Sequence, residues 1–228
     1  MRSSRWNAQG NLYLVTDDGP LDADRVRAEV GDTDGILEVL ASGEDWVEIR
    51  IWNPDGSSAE MSGNGTRIAA RWLADRTGAE HVIVRVGERE VRAQMLGGAL
   101  VEQELGSVAV GDAETVDGIR FTPVDVGNPH AVVEADPAEL PRIGPMLETH
   151  ERFPGRTNVQ VARWVDDGIE ARVWERGAGE TASSGSSAVA VAAALGAASV
   201  TVRFPGGPLD VRVENGKAFL TGPAVRVT

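Results

Sequence analysis

Asn53-Pro-Asp-Gly-Ser-Ser-Ala-Glu-Met-Ser62-Gly63-Asn64-Gly65-Thr66-Arg67 and Glu175-Arg176-Gly-Ala-Gly-Glu-Thr-Ala-Ser-Ser184-Gly185-Ser186-Ser187 are two versions of one loop. Each follows an alternating, strand-like run (46–52 and 169–174) and leads into a stretch of good helix formers (68–75 and 188–195). The two serines stand 122 residues apart, about half the chain of 228, which predicts a duplicated architecture with one such loop per half. Small residues at a helix start let a ligand approach the backbone, and the unpaired N–H groups of the first turn attract anions. Two such helix starts brought face to face would hold a carboxylate and let a residue at each turn reach the adjacent carbon from opposite sides. A two-base racemase or epimerase requires that arrangement. The plainer reading is a pair of ordinary N-caps, since Ser and Asn cap helices routinely. A single loop would favour the cap, and the repetition reverses that preference.

Composition narrows the classes. A net charge of −13 argues against a nucleic-acid or anionic-membrane partner. No apolar run reaches 18 residues and the first residues lead into no signal-like segment, so a cytoplasmic location is expected. Of 22 Lys and Arg residues only Lys217 is lysine, and Glu214-Asn215-Gly216-Lys217 reads as a hairpin turn. A pyridoxal phosphate racemase needs a lysine Schiff base, and a lone turn lysine serves that role poorly. His81, His130 and His150 show no ligand spacing, so no metal site is expected. The glycine loops match neither GxGxxG nor a P-loop. A cofactor-free reaction on a small molecule remains.

The two loops resemble those of the diaminopimelate epimerase family, with the patterns Asn-x-Asp-Gly-Ser…Cys-Gly-Asn-Gly-x-Arg and Glu-Arg-Gly-x-Gly-Glu-Thr-x-x-Cys-Gly-Ser/Thr-Gly. Further matches follow in order along nearly the whole chain: Gly10-Asn11, Asp34-Gly35, Gly127-Asn128-Pro129-His130, Thr157-Asn158-Val159, Phe204-Pro205-Gly206-Gly207 and Thr221-Gly222-Pro223-Ala224. The resemblance implies an α+β fold of two pseudo-symmetric halves, each a mixed or antiparallel sheet wrapped around a central helix. It implies cofactor-independent interconversion of LL- and meso-diaminopimelate, an amino-acid substrate of lysine and cell-wall synthesis. A homodimer is left open, because the chain is short for the family. The expected halves are residues 1–112, completed by a last strand at 218–228, and residues 113–217.

Residue roles carry over on the matching positions. Ser62 and Ser184 stand where the family has its two acid/base cysteines, and this chain has no cysteine at all. Gly63-Asn64 and Gly185-Ser186 match positions that hold the reacting carboxylate. Asn11, Asn53, Asn128 and Asn158 fall in substrate-binding motifs, where an amide can both donate and accept. Arg176 matches the arginine near the distal carboxylate, which a planar fork can pair bidentately. His130 and Glu175 match the side chains flanking the catalytic pair. As bland alternatives, the asparagines are turn formers, Glu175-Arg176 a surface pair and His130 a turn cap.

The serines change the chemistry. A thiol titrates near pH 8.5 or lower at a helix start, whereas a hydroxyl needs an adjacent base. Three accounts stay open: deliberate substitution, a thiol-free branch that still epimerises, or a branch that has lost the reaction. The functional rivals are an amino-acid-binding protein on the same scaffold and an isomerase of another carboxylate working through His130 or Glu175. Glu60 and Glu180 also lie near the loops. His130, with an ordinary pKa of about 6.5, needs the least tuning, so exchange is expected to follow a group titrating near pH 6–7. Beyond the loops, alternation predicts strands over 12–16, 36–40, 82–86, 90–95, 100–105, 119–126, 199–204, 209–213 and 218–220. Helices are predicted over 22–30 and 143–152.

Overall fold

A computed structural model describes residues 3–227. The described residues form two compact units, 3–104 with 221–227, and 105–220. Unit 1 begins with β1 (Ser3–Ala8), β2 (Asn11–Thr16), α1 (Ala23–Glu29), β3 (Gly35–Ser42), β4 (Trp46–Trp52) and β5 (Ser58–Ala59). It continues through α2 (Gly63–Thr77), β6 (His81–Val86), β7 (Arg89–Gly97) and most of β8 (Leu100–Ser107). Unit 2 holds β9 (Ala109–Val110), β10 (Glu114–Val116), β11 (Ile119–Asp125), β12 (Pro129–Glu134) and α3 (Leu140–Glu148). Then come β13 (Asn158–Val165), β14 (Gly168–Glu175), β15 (Gly179–Thr181), α4 (Gly185–Ala194), β16 (Ser199–Phe204) and β17 (Gly207–Glu214). The chain leaves unit 2 within β18 (Lys217–Pro223) and ends on β19 (Val225–Val227), which pairs antiparallel with β1.

The pairings repeat. β2 runs parallel to β3, β3 antiparallel to β4, and β4 parallel to β6, which turns back into β7. In unit 2, β12 runs parallel to β13, β13 antiparallel to β14, and β14 parallel to β16, which turns back into β17. Register fixes the correspondence: Tyr13 lies opposite Gly35, and His130 opposite Asn158. Within each unit the strands surround one buried helix. α2 packs on β1, β2, β3, β4, β6 and β7, and α4 on β11, β12, β13, β14, β16 and β17. Helix α4 is almost wholly Ala and Val, so it offers smooth apolar surface on every side. The fold is α+β, with two repeated halves.

The structure shifts several sequence expectations. Helix α3 occupies 140–148, not 143–152, because Pro141 fits the first helical turn, where no N–H is needed. Strands β1, β12 and β13 lie outside those expected. β13 is buried on both faces over its first five residues, which erases the alternation that betrays a strand. The units divide inside β8, eight residues before the expected boundary, and again inside β18. Lys217 follows the two-residue turn Asn215-Gly216, both at positive φ, as its hairpin reading requires.

Gly35 shows how tightly the first loop's surroundings are packed. A Cβ there would lie 2.4 Å from the Trp52 carbonyl oxygen and 2.9 Å from Cε1 of Tyr13. Backbone cannot yield cheaply, so Gly35→Ala is expected to lower stability by roughly 1–3 kcal/mol. Urea denaturation of the variant checks this, and an unchanged midpoint would show that the β3–β4 pair yields.

Candidate active site

Both loops end in a serine that occupies the N-cap of a buried helix, and the two serines behave differently. Ser62 caps α2: its Oγ accepts from the Gly65 N–H at 3.0 Å and lies 3.2 Å from the Tyr13 hydroxyl. Ser184 makes no side-chain cap bond to α4. Its hydroxyl instead hydrogen-bonds to the Glu175 carboxylate and lies 3.5 Å from Ser186 Oγ. Both serines thus hold N-cap positions, but only Ser62 caps its helix with its side chain.

In unit 1 a buried polar chain fixes the first turn of α2. Arg67 is fully buried. Its Nη2 donates to Asn64 Oδ1 at 2.8 Å and its Nε to the Pro223 carbonyl at 3.1 Å. With Asn64 Oδ1 so occupied, its Nδ2 donates to Asn11 Oδ1. Two of the sequence-assigned asparagines are thus joined, each with a determined amide orientation. Gln103 closes the base, donating to the Gly63 carbonyl and accepting from the Arg67 N–H, each at 2.9 Å. Among the described residues Arg67 meets no carboxylate, and Nη1 has no partner. Burial lowers its pKa to about 10, so it stays cationic at neutral pH and adds positive charge beneath the helix start. Asn53 stands apart: its Nδ2 bonds Ser57 Oγ within its own turn.

In unit 2 Glu175 and His130 part ways. The Glu175 side chain is partly exposed, but its carboxyl group is desolvated, which raises its pKa above the ordinary value of 4.5. Hydrogen bonds from Thr181 Oγ1, at 2.5 Å, and from Ser184 oppose the rise without cancelling it. A carboxylate whose pKa is raised is a stronger base, and this one is bonded to the Ser184 hydroxyl, whose proton it can take.

His130 does not fit the part of a base at pH 6–7. It is buried on β12, and burial lowers its pKa to about 3, with the Arg176 charge adding to the fall. Its Nδ1 accepts from Gln160 Nε2 at 2.9 Å, so Nε2 carries the proton and donates to Asn128 Oδ1 at 3.0 Å. Both nitrogens are committed, and the ring is a neutral brace. That overturns the expectation that exchange follows the protonation of this histidine. Asn128 serves the same brace. Asn158 is likewise employed in holding strands, donating to the Pro129 carbonyl and accepting from the Arg176 N–H, both at 3.0 Å. The Arg176 side chain is exposed, as recognition of a distal carboxylate requires. Glu60 is exposed, and Glu180 is held by Arg172 in a two-pronged ion pair, so neither stands ready as a base.

Residues the motifs did not flag hold the loops. Ten residues before each serine a tryptophan donates its indole N–H to a buried glutamate: Trp52 to Glu38 and Trp174 to Glu148, each at 2.8 Å. Glu148 also accepts from the Gly177 N–H at 2.7 Å and from Arg156 at 2.9 Å. Burial would raise its pKa, but these bonds and charges more than offset that and hold it below the usual carboxylate range. The repeated Trp–x9–Ser spacing is the one local signal that could have exposed this device.

The diaminopimelate epimerase family model matches residues 23–114 and 122–227. The diaminopimelate epimerase of Thermobifida fusca is 38% identical over the whole chain and 96% of its own length. That of Synechococcus elongatus is 33% identical, again over the whole chain and 96% of its own. The chain belongs to the diaminopimelate epimerase family. A solved structure described as a "Predicted Epimerase" from Pseudomonas aeruginosa covers 99% of this chain and 96% of its own, with a TM-score of 0.78. At 19% identity it speaks for the fold alone. This member of an isomerase family carries Ser62 and Ser184 at the ends of its two loops. No helix among the described residues is long and apolar enough to cross a membrane.

Proposed function

We propose that this chain is a cofactor-independent epimerase that interconverts LL- and meso-diaminopimelate, taking one proton carrier from each loop. Ser62 and Ser184 occupy the proton-transfer positions, and Glu175 is the base that makes Ser184 competent. Asn11, Gly63, Asn64, Gly185 and Ser186 supply the donors for the reacting carboxylate, and Arg176 meets the distal one. Asn128, His130 and Asn158 act by holding these groups in place. The observation that carries the reading is the released serine: Ser184 forgoes its helix cap and points its hydroxyl at a carboxylate whose pKa burial has raised. A structural N-cap has no use for that arrangement, whereas a general base needs it.

Solvent deuterium incorporation at the α-carbon of diaminopimelate tests the proposal, because it registers proton abstraction even when turnover is slow. Since the ionised carboxylate is the active form, exchange should rise with pH through a midpoint above 4.5 and fall away as pH drops through it. Glu175→Gln should lower exchange by about 100-fold, the lower end of what a positioned acid or base contributes. Calorimetric binding of diaminopimelate with no exchange at any pH would leave a binding protein instead.

A further inference from the structure

On the other loop, among the described residues, the side chain beside the serine is a phenol and not a carboxylate. We propose, on the basis of the epimerase reading above, that Tyr13 is the proton relay behind Ser62, acting through that hydroxyl rather than on the substrate. Tyr13 Oη lies 3.2 Å from Ser62 Oγ, on a ring that is buried and seated against the bare backbone of Gly35. Ser62 Oγ already accepts the Gly65 N–H. An oxygen with two lone pairs can also accept the Tyr13 proton, which frees the serine's own O–H to donate elsewhere.

The relay overcomes the weakness of a hydroxyl acid. When Ser62 delivers its proton to the α-carbon, the electron pair of the carbanion forms the new C–H bond. The Tyr13 O–H proton then passes to Ser62 Oγ, and the negative charge ends on the phenolate. A phenol ionises near pH 10, well below a serine hydroxyl, so no free alkoxide is left behind. In the reverse direction the phenolate takes the Ser62 proton as Ser62 takes the α-proton, and no other reactant is needed. The repeat supports the assignment. Tyr13 and His130 hold equivalent register positions, but the histidine is locked between Asn128 and Gln160, whereas the tyrosine lies against the serine.

Tyr13 is the chain's only tyrosine, so its ionisation can be read directly by ultraviolet difference absorbance. Ser62→Ala should raise the midpoint of that titration, because the phenolate loses a hydrogen-bond donor. Tyr13→Phe keeps the ring and its packing, yet should cut α-proton exchange by roughly tenfold or more. It should also remove the alkaline limb of the pH profile that follows tyrosine ionisation. In a Ser62→Cys background the same change should cost less than about threefold, because a thiol near pH 8.5 carries its own charge. Full exchange in Tyr13→Phe, or an equal loss in both backgrounds, overturns the relay while leaving the epimerase reading intact. If the unaltered protein shows no exchange, the epimerase reading fails by itself. An unmoved tyrosine midpoint in Ser62→Ala then rules out the coupling as well.

Discussion

Restoring cysteine at both Ser62 and Ser184 is expected to raise α-proton exchange of diaminopimelate by about 1,000-fold or more. Two hydroxyls then give way to two thiols at helix starts, where the N–H groups favour a thiolate, helped at residue 62 by the buried Arg67 charge. A positioned acid or base is worth about 10²–10⁴-fold, and here both proton carriers change at once. Each single cysteine should yield far less, since the reaction proceeds no faster than its weaker carrier allows. Measuring exchange for the two single variants and the double one decides the matter. Additive, modest gains, or none, would mean that the loops no longer hold epimerase geometry.

Acid should unfold this protein through His130. In the folded chain its pKa is lowered from 6.5 to about 3, whereas in the unfolded chain it returns to the ordinary value. The unfolded state therefore binds the proton first. The stabilisation is complete above about pH 6.5 and drains away as pH falls toward 3, a loss on the order of 5 kcal/mol from this group alone. His130→Gln carries no titrating group at the site. Its stability, lower at neutral pH for lack of the histidine's bonds, should approach that of the unaltered protein as pH falls from 6.5. The slope of stability against pH, taken from urea unfolding, is the quantity to compare. Parallel slopes would show that the ring is solvated.

What could be read from the sequence was whatever is written locally. The two loops declare themselves through glycine, polar caps and flanking alternation, and most strands of β6–β8 and β16–β18 follow from period-two patterning. The chemistry behind each serine is not local. Tyr13 reaches Ser62 across 49 residues, Glu148 reaches Gly177 across 29, and Gln160 reaches His130 across 30. No residue pattern encodes such meetings; strand register creates them. His130 was misjudged for the same reason: its motif fixes its position, but its burial depends on the pairing of β12 with β13, two strands without a sequence signal. The two serines look alike in sequence, and only the neighbours that folding supplies make one a cap and the other a partner for Glu175.

The route of the chain through the two units has a consequence for the order in which the protein is made. Unit 2 is one continuous span, 105–220, whereas unit 1 draws on both ends. The buried guanidinium of Arg67 finds its Pro223 carbonyl only 156 residues further on, and β1 gains β19 later still. During vectorial synthesis the first half emerges first but keeps an open strand edge, and lacks the carbonyl partner of Arg67, until β18 and β19 have followed it. The second half can close before the first is finished. Slow release, or loss of the final strand, would expose the amino-terminal segment to proteases and to mispairing, whereas unit 2 already has all of its own chain.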